Sequence, residues 1–254
     1  MKTLSKSDLK QFLDEKVVQY NKPEFITSDP IQIPHRFNET QDVEIAALLT
    51  ATIAWGNRKS ILKSANNMMA LLDNAPYDFV MNHSKEDLKP LAHFVHRTFN
   101  GSDLTTFILG LKRLYKTHHS IESLFYHPDN LQMGISSFKQ NFFNFPHPKR
   151  SEKHLSDPNK KSAAKRINMF LRWMVRSNTT GVDLGVWKQI SPRQLSCPLD
   201  VHSGRVARKL GLLQRKQNDA RAVSELDIAL RHLDPEDPVK YDFALFGLGV
   251  FESF

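Results

Sequence analysis

One cysteine in 254 residues, Cys197, excludes an intramolecular disulfide framework and any metal or iron–sulfur cluster built from cysteine alone. No apolar run is long enough to span a bilayer. The opening stretch MKTLSKSDLKQFLDEK lacks the apolar segment of a secretory signal, so a reducing cytoplasm is the expected location. Alternating strand patterns of useful length, repeats and low-complexity tracts are missing too. Histidines number 11, yet His93/His96 and His118/His119 have no carboxylate companion at ligand spacing. No metal or cofactor is expected.

What remains is an ordinary soluble composition, 40% hydrophobic and 24% charged, in a chain long enough for one large domain or two modest lobes. A net charge of +8 favours a polyanionic partner, nucleic acid or an anionic surface. Helical spacing runs through most of the chain. Leu9, Phe12, Leu13 and Val17 form one stripe, and Ile61, Leu62, Ala65, Met68, Met69 and Leu72 form another, stopped by Asn74-Ala75-Pro76. Thr40 and Ser102 are candidate caps of two further helices, and residues 128–160 read as loop around one short helix. Asp219 or Arg221 opens a late helix, and Asp237 with Pro238 starts the last. The expected fold class is all-α.

The helix expected from about Ser162 is the most informative. Ala163, Ile167, Phe170, Leu171 and Met174 fall on one face, and Lys161, Lys165, Arg172 and Arg176 fall together on the opposite side. Acids at i,i+4 that would balance an exposed basic face are lacking. The stripe is either a solvated face or a ridge that tracks phosphates. Lys149, Arg150, Lys153 and Lys160, just upstream, add positive charge.

A second basic stretch, CPLDVHSGRVARKLGLL, places Asp200 ahead of Arg205, Arg208 and Lys209. Asp200 is readable as a helix N-cap or as an acid held against a polyanion by the cations behind it, and one carboxylate can serve both purposes.

The residues PLDVHSGRVARKLGLL resemble the "VDTHVxRVxxRLGL" signature of the helix-hairpin-helix base-excision glycosylases, the superfamily containing endonuclease III. Three further segments are similar to that family. EIAALLTATIAWGNRKSILKSANNMM (44–69) resembles its early helix pair, and YDFALFGLG (241–249) resembles a late helix. DPNKKSAAKRINMFL (157–171) can be laid over the hairpin "PGVGRKTANxxL". The pattern KRINMFLRWMVR, VDLGVW and PLDVH also resembles a bacterial protein family. The chain departs from the glycosylases in three places. Pro158, Asn159 and Lys160 stand where the hairpin has glycines, Thr52 stands where many members have Gln, and the insertion SNTTGVDLGVWKQISPRQLSC precedes the acid.

The resemblance implies a single helical domain over 1–254 with two lobes flanking a DNA cleft, in a monomer that excises damaged bases and requires no cofactor. It makes Asp200 the catalytic carboxylate, stabilising positive charge on the deoxyribose. It makes Lys161 the amine that forms an imine and permits strand cleavage, with Lys165 as rival one turn on. Lys160, Lys165, Arg172, Arg176, His202, Arg205 and Arg58 would contact nucleic acid. Trp55 and Trp187 are packed aromatics or groups that grip an extruded base. A non-catalytic nucleic-acid-binding protein on the same scaffold is the alternative.

Overall fold

The computed structural model describes residues 5–128, 130–252 and 254. The fold is all-α. Among the described residues ten α-helices carry it: α1 (Lys6–Tyr20), α2 (Thr40–Thr52), α3 (Arg58–Leu71), α4 (Pro76–Asn82), α5 (Gly101–Tyr115), α6 (Leu131–Phe142), α7 (Lys165–Val175), α8 (Val201–Lys209), α9 (Ala220–Leu233) and α10 (Tyr241–Phe251). Short 3-10 turns join many of them. A two-residue hairpin, β1 (Val95–His96) antiparallel to β2 (Phe99–Asn100), is the strand pairing among the described residues. It is too short to leave an alternating pattern in the sequence.

The chain forms two compact units. The described residues up to Phe25 join Pro158–Phe254 in one, and Ile26–Asp157 form the other.

In the middle unit, α2 is buried nearly all round, as its apolar run Ile45–Leu49 demands. Glu44 is carried inside with it and accepts from Tyr115 Oη at 2.6 Å, the Ser120 hydroxyl and the Ile121 N–H. A buried carboxylate persists only with such donors. The cap of α5 is Asn100, two residues before the expected Ser102. Asn100 accepts from the Asp103 N–H, and the Asp103 carboxylate accepts from the Asn100 N–H in return.

In the other unit, α1 packs on α10 and α10 on α8. Leu13, Leu199, Val206, Leu226, Leu230, Tyr241, Leu245 and Leu248 form its core. The α1–α10 approach depends on Gly247, where an added Cβ would lie 2.2 Å from the Tyr20 ring. The apolar face read for α7 is buried at Ile167, Phe170, Leu171 and Met174. The helix itself starts at Lys165 rather than Ser162, because Lys161 (φ 66°) and Ala164 (φ 46°) take left-handed backbone. Non-glycine residues seldom adopt that conformation, which breaks the helical path twice before α7 begins.

Candidate functional site

The site grows from two helix starts in the unit that holds α7–α10. Asp200 is extended (φ −118°, ψ −169°) and caps α8. Its Oδ1 accepts from the Ser203 N–H at 2.8 Å and the Ser203 hydroxyl at 3.1 Å, and Ser203 Oγ accepts the Asp200 N–H at 2.9 Å. Asn218 Nδ2 donates to the Asp200 carbonyl at 2.8 Å. One carboxylate oxygen is thereby committed to the cap. The other, Oδ2, faces Lys165 Nζ at 3.8 Å. The side chains are 17% and 34% exposed, so the pair is held by the fold yet open to solvent. Cap and acid are the same carboxylate, divided oxygen by oxygen.

Lys165 reaches this position because a tight hairpin precedes it. Pro158–Lys160 form a 3-10 turn, the Lys161 carbonyl accepts the Ala220 N–H at 3.1 Å, and Ser162 bridges Asp219. Ser162 Oγ accepts the Ala164 N–H at 3.1 Å and closes the turn ahead of α7. Lys160 and Lys161 are exposed, and neither side chain has a hydrogen-bond or ion-pair partner among the described residues. The amine placed beside Asp200 is therefore that of Lys165, not that of Lys161.

The expected ridge of four cations is not an exposed ridge. Lys165 and Arg172 do share one stripe of α7, with Arg176 at its C-cap, but Arg172 and Arg176 are buried. Arg172 donates through Nε to Asp183 Oδ1 at 3.2 Å and through Nη1 to Asp242 Oδ2 at 2.5 Å. Arg176 donates to Asp183 Oδ2 and, through Nε and Nη2, to Asp237 at 2.9 and 2.8 Å. The Phe243 ring lies against both guanidiniums. Burial works against the Arg176 charge, but Asp183 and Asp237 outweigh it and raise its proton affinity. Neither arginine is available to phosphate. The balancing acids come from distant segments, which an i,i+4 reading could not register. Asp183 lies within the insertion that sets this chain apart from the glycosylase spacing.

The remaining candidates are dispersed. His202 is exposed beside Asp200, its ring 6.4 Å from that of Phe246, and an added Cβ on Gly249 would lie 3.0 Å from its own. Arg205 donates to the Gly249 carbonyl at 2.8 Å, which fastens α8 to the end of α10. Trp187 is core, edge-on to Phe170, and does not face solvent. Trp55 and Arg58 belong to the middle unit. Trp55 is half-buried between the His154 and His96 rings, and Arg58 reaches Ser28 Oγ at 3.1 Å and Asp29 at 3.7 Å. Among the described residues no group of three or more His, Cys, Asp or Glu is arranged to hold a metal ion.

Cys197, three residues before Asp200, is buried between carboxylates, and burial first, then Asp242 and Asp227, push its thiol well up. Asp227 on α9 accepts the Cys197 N–H at 2.9 Å, yet burial pushes its own carboxyl up to about 6. The native state then holds this proton more tightly than the unfolded chain does. Its contribution is greatest below about pH 4 and is lost as pH rises towards 6. Asp227→Asn keeps an acceptor for Cys197 and removes the titration. Urea unfolding should show wild type losing about 2–3 kcal/mol relative to the variant as pH rises from about 4 to about 7. Parallel curves would contradict this.

No curated protein and no solved structure matches the chain. A family model does match, over residues 29–251. That span covers most of the chain, which therefore belongs to the family described as "Protein of unknown function (DUF2400)".

Proposed function

We propose that this protein is a cytoplasmic DNA glycosylase that cleaves the N-glycosidic bond of a damaged base, with lyase activity carried by Lys165. The observation that carries this reading is the Asp200–Lys165 pair at 3.8 Å, half-open to solvent at the start of α8. An ionised carboxylate there stabilises positive charge at C1′ as the base departs. Lys165 in its neutral form attacks C1′ as the C1′–N bond breaks, and the base leaves with the bonding pair and takes a proton from water. The proton shed by the amine passes to Asp200, directly or through one water, and the C1′–O4′ bond then opens with O4′ taking that proton. The imine that follows permits strand cleavage by β-elimination.

The sequence resemblance supports the same residue once the hairpin is shifted by four positions. Lys165, Asn168 and Leu171 then meet the Lys, Asn and Leu of "KTANxxL", and Asn168 Nδ2 donates to the Ala163 carbonyl at 3.1 Å across the helix start. Lys160 and Lys161, exposed on the adjoining turn, and His202, exposed beside Asp200, are the remaining phosphate contacts in this unit.

The test is base release and borohydride trapping over a panel of oligonucleotides bearing damaged bases and abasic sites. Trapping should vanish in Lys165→Ala and persist in Lys161→Ala. Trapping that survives Lys165→Ala, or no base release with any lesion, would overturn the assignment. The hairpin without glycine favours a second reading, a non-catalytic nucleic-acid-binding protein. Salt-dependent DNA binding with no base release on the whole panel would select it.

A further inference from the structure

The consecutive residues Asn218, Asp219 and Ala220 join the two helix starts that carry the Asp200–Lys165 pair. Asn218 Nδ2 donates to the Asp200 carbonyl at 2.8 Å, beside the Gly204 N–H that α8 itself supplies at 3.0 Å. Every other hydrogen bond of Asp200 among the described residues is made within the start of α8. Asp219 pairs with Ser162 in an antiparallel bridge, and the Ala220 N–H reaches the Lys161 carbonyl at 3.1 Å. Ser162 and Lys161 lie just ahead of Lys165, on the turn from which α7 starts. The route from acid to amine therefore crosses two hydrogen-bonded joints with a short stretch of backbone between them.

The side chain that closes the first joint is oriented by its surroundings. Asn218 Oδ1 accepts from Arg208 Nη2 at 2.6 Å. A guanidinium only donates, so the amide oxygen must face it and the amide nitrogen turns to Asp200. Arg208 also donates through Nε to the Arg215 carbonyl at 2.8 Å, and Arg215 is paired with Asp219. Asp219 in turn caps α9, accepting from the Arg221 and Ala222 N–H groups at 3.1 Å each. The bridging segment is thus rooted in α9 rather than hung from the pair it joins. Gly204 leaves room for the joint: a Cβ there would lie 2.9 Å from both Arg208 Nη1 and Asn218 Oδ1. Asn218 itself is exposed, and exposed side chains contribute little to overall stability.

We propose that Asn218 is a positioning residue which, through Asp219 and Ala220, sets the separation between the Asp200 carboxylate and the Lys165 amine. The catalytic meaning of this role rests on the glycosylase reading, but the geometry it fixes does not. Without the Asn218 donor the start of α8 keeps its cap. It loses its hydrogen bond to the segment that holds the turn ahead of α7. The acid and the amine are then in contact for a smaller share of the time.

A water-soluble carbodiimide measures that share, because it joins a carboxylate to an amine as an amide with no spacer between them. Folded protein is treated and digested, and its linked peptides are quantified by mass spectrometry. Wild type should give an Asp200–Lys165 link, with a Lys240–Asp234 link from the 2.7 Å ion pair in the same unit as reference. In Asn218→Ala the first link, measured against the second, should fall about fivefold, the population factor of one net hydrogen bond. Asn218→Asp keeps an acceptor for Arg208 but has no donor for Asp200, so its ratio should fall as far. A wild-type ratio in either variant, or no Asp200–Lys165 link in wild type, would overturn the proposal. Absence of base release in wild type would overturn the enzymatic reading and leave these ratios standing, so the two failures are distinguishable.

Discussion

Asp183→Ala should lower the free energy of unfolding by about 3–5 kcal/mol, the range for breaking a buried ion pair by removing one partner. Asp183 is fully buried and gives one oxygen to each arginine, Oδ1 to Arg172 Nε and Oδ2 to Arg176 Nη1. Without it, two guanidiniums stay inside with one carboxylate each, Asp242 and Asp237. A stability of about 5–15 kcal/mol is ordinary for a folded domain, so the loss is a large share of the whole. Urea unfolding with an unchanged m-value measures it. Were Arg172 and Arg176 exposed phosphate contacts, the same change would cost under about 1 kcal/mol and strengthen DNA binding. A loss that small would contradict the inward-facing stripe.

Asp200→Asn separates chemistry from capping. Asn caps helices about as well as Asp, and its carboxamide oxygen can still accept from Ser203. Unfolding free energy should therefore change by less than about 1 kcal/mol. The charge facing Lys165 is lost, and with it, on the glycosylase proposal, the group that stabilises C1′ and accepts a proton. Base release should fall by about 10²–10⁴-fold. Asp200→Ala should lose the cap as well, at about 1 kcal/mol. Equal activity in wild type and Asp200→Asn would leave Asp200 as a cap alone.

Periodicity locates α7, the apolar face at Ile167, Phe170, Leu171 and Met174, and the alignment of Lys165 with Arg172, and these stand in the structure; Lys161 and Ala163 precede the helix and Arg176 is its C-cap. It could not say which way the stripe faces. That depends on Asp183, Asp237 and Asp242, which are 7 to 70 residues from the arginines they bind and follow no local spacing rule. Asp242 left one faint trace, an acid near the start of an otherwise apolar helix. The role of Asp200 as a cap is legible because Asp is a favoured N-cap residue; the Ser203 that completes the box is not the Glu or Gln that signals one in a sequence. The resemblance names Lys161 first and Lys165 as its rival; the lysine beside Asp200 is Lys165, because left-handed backbone at Lys161 and Ala164 delays the helix and no glycine announces it.

The pairing of Asp200 with Lys165 is tested most directly by locating the covalent adduct. Wild type is incubated with an abasic-site oligonucleotide and borohydride, digested, and the modified lysine identified by tandem mass spectrometry. The adduct is expected on Lys165. An adduct on Lys161 or any other lysine would show that the amine beside Asp200 is not the nucleophile.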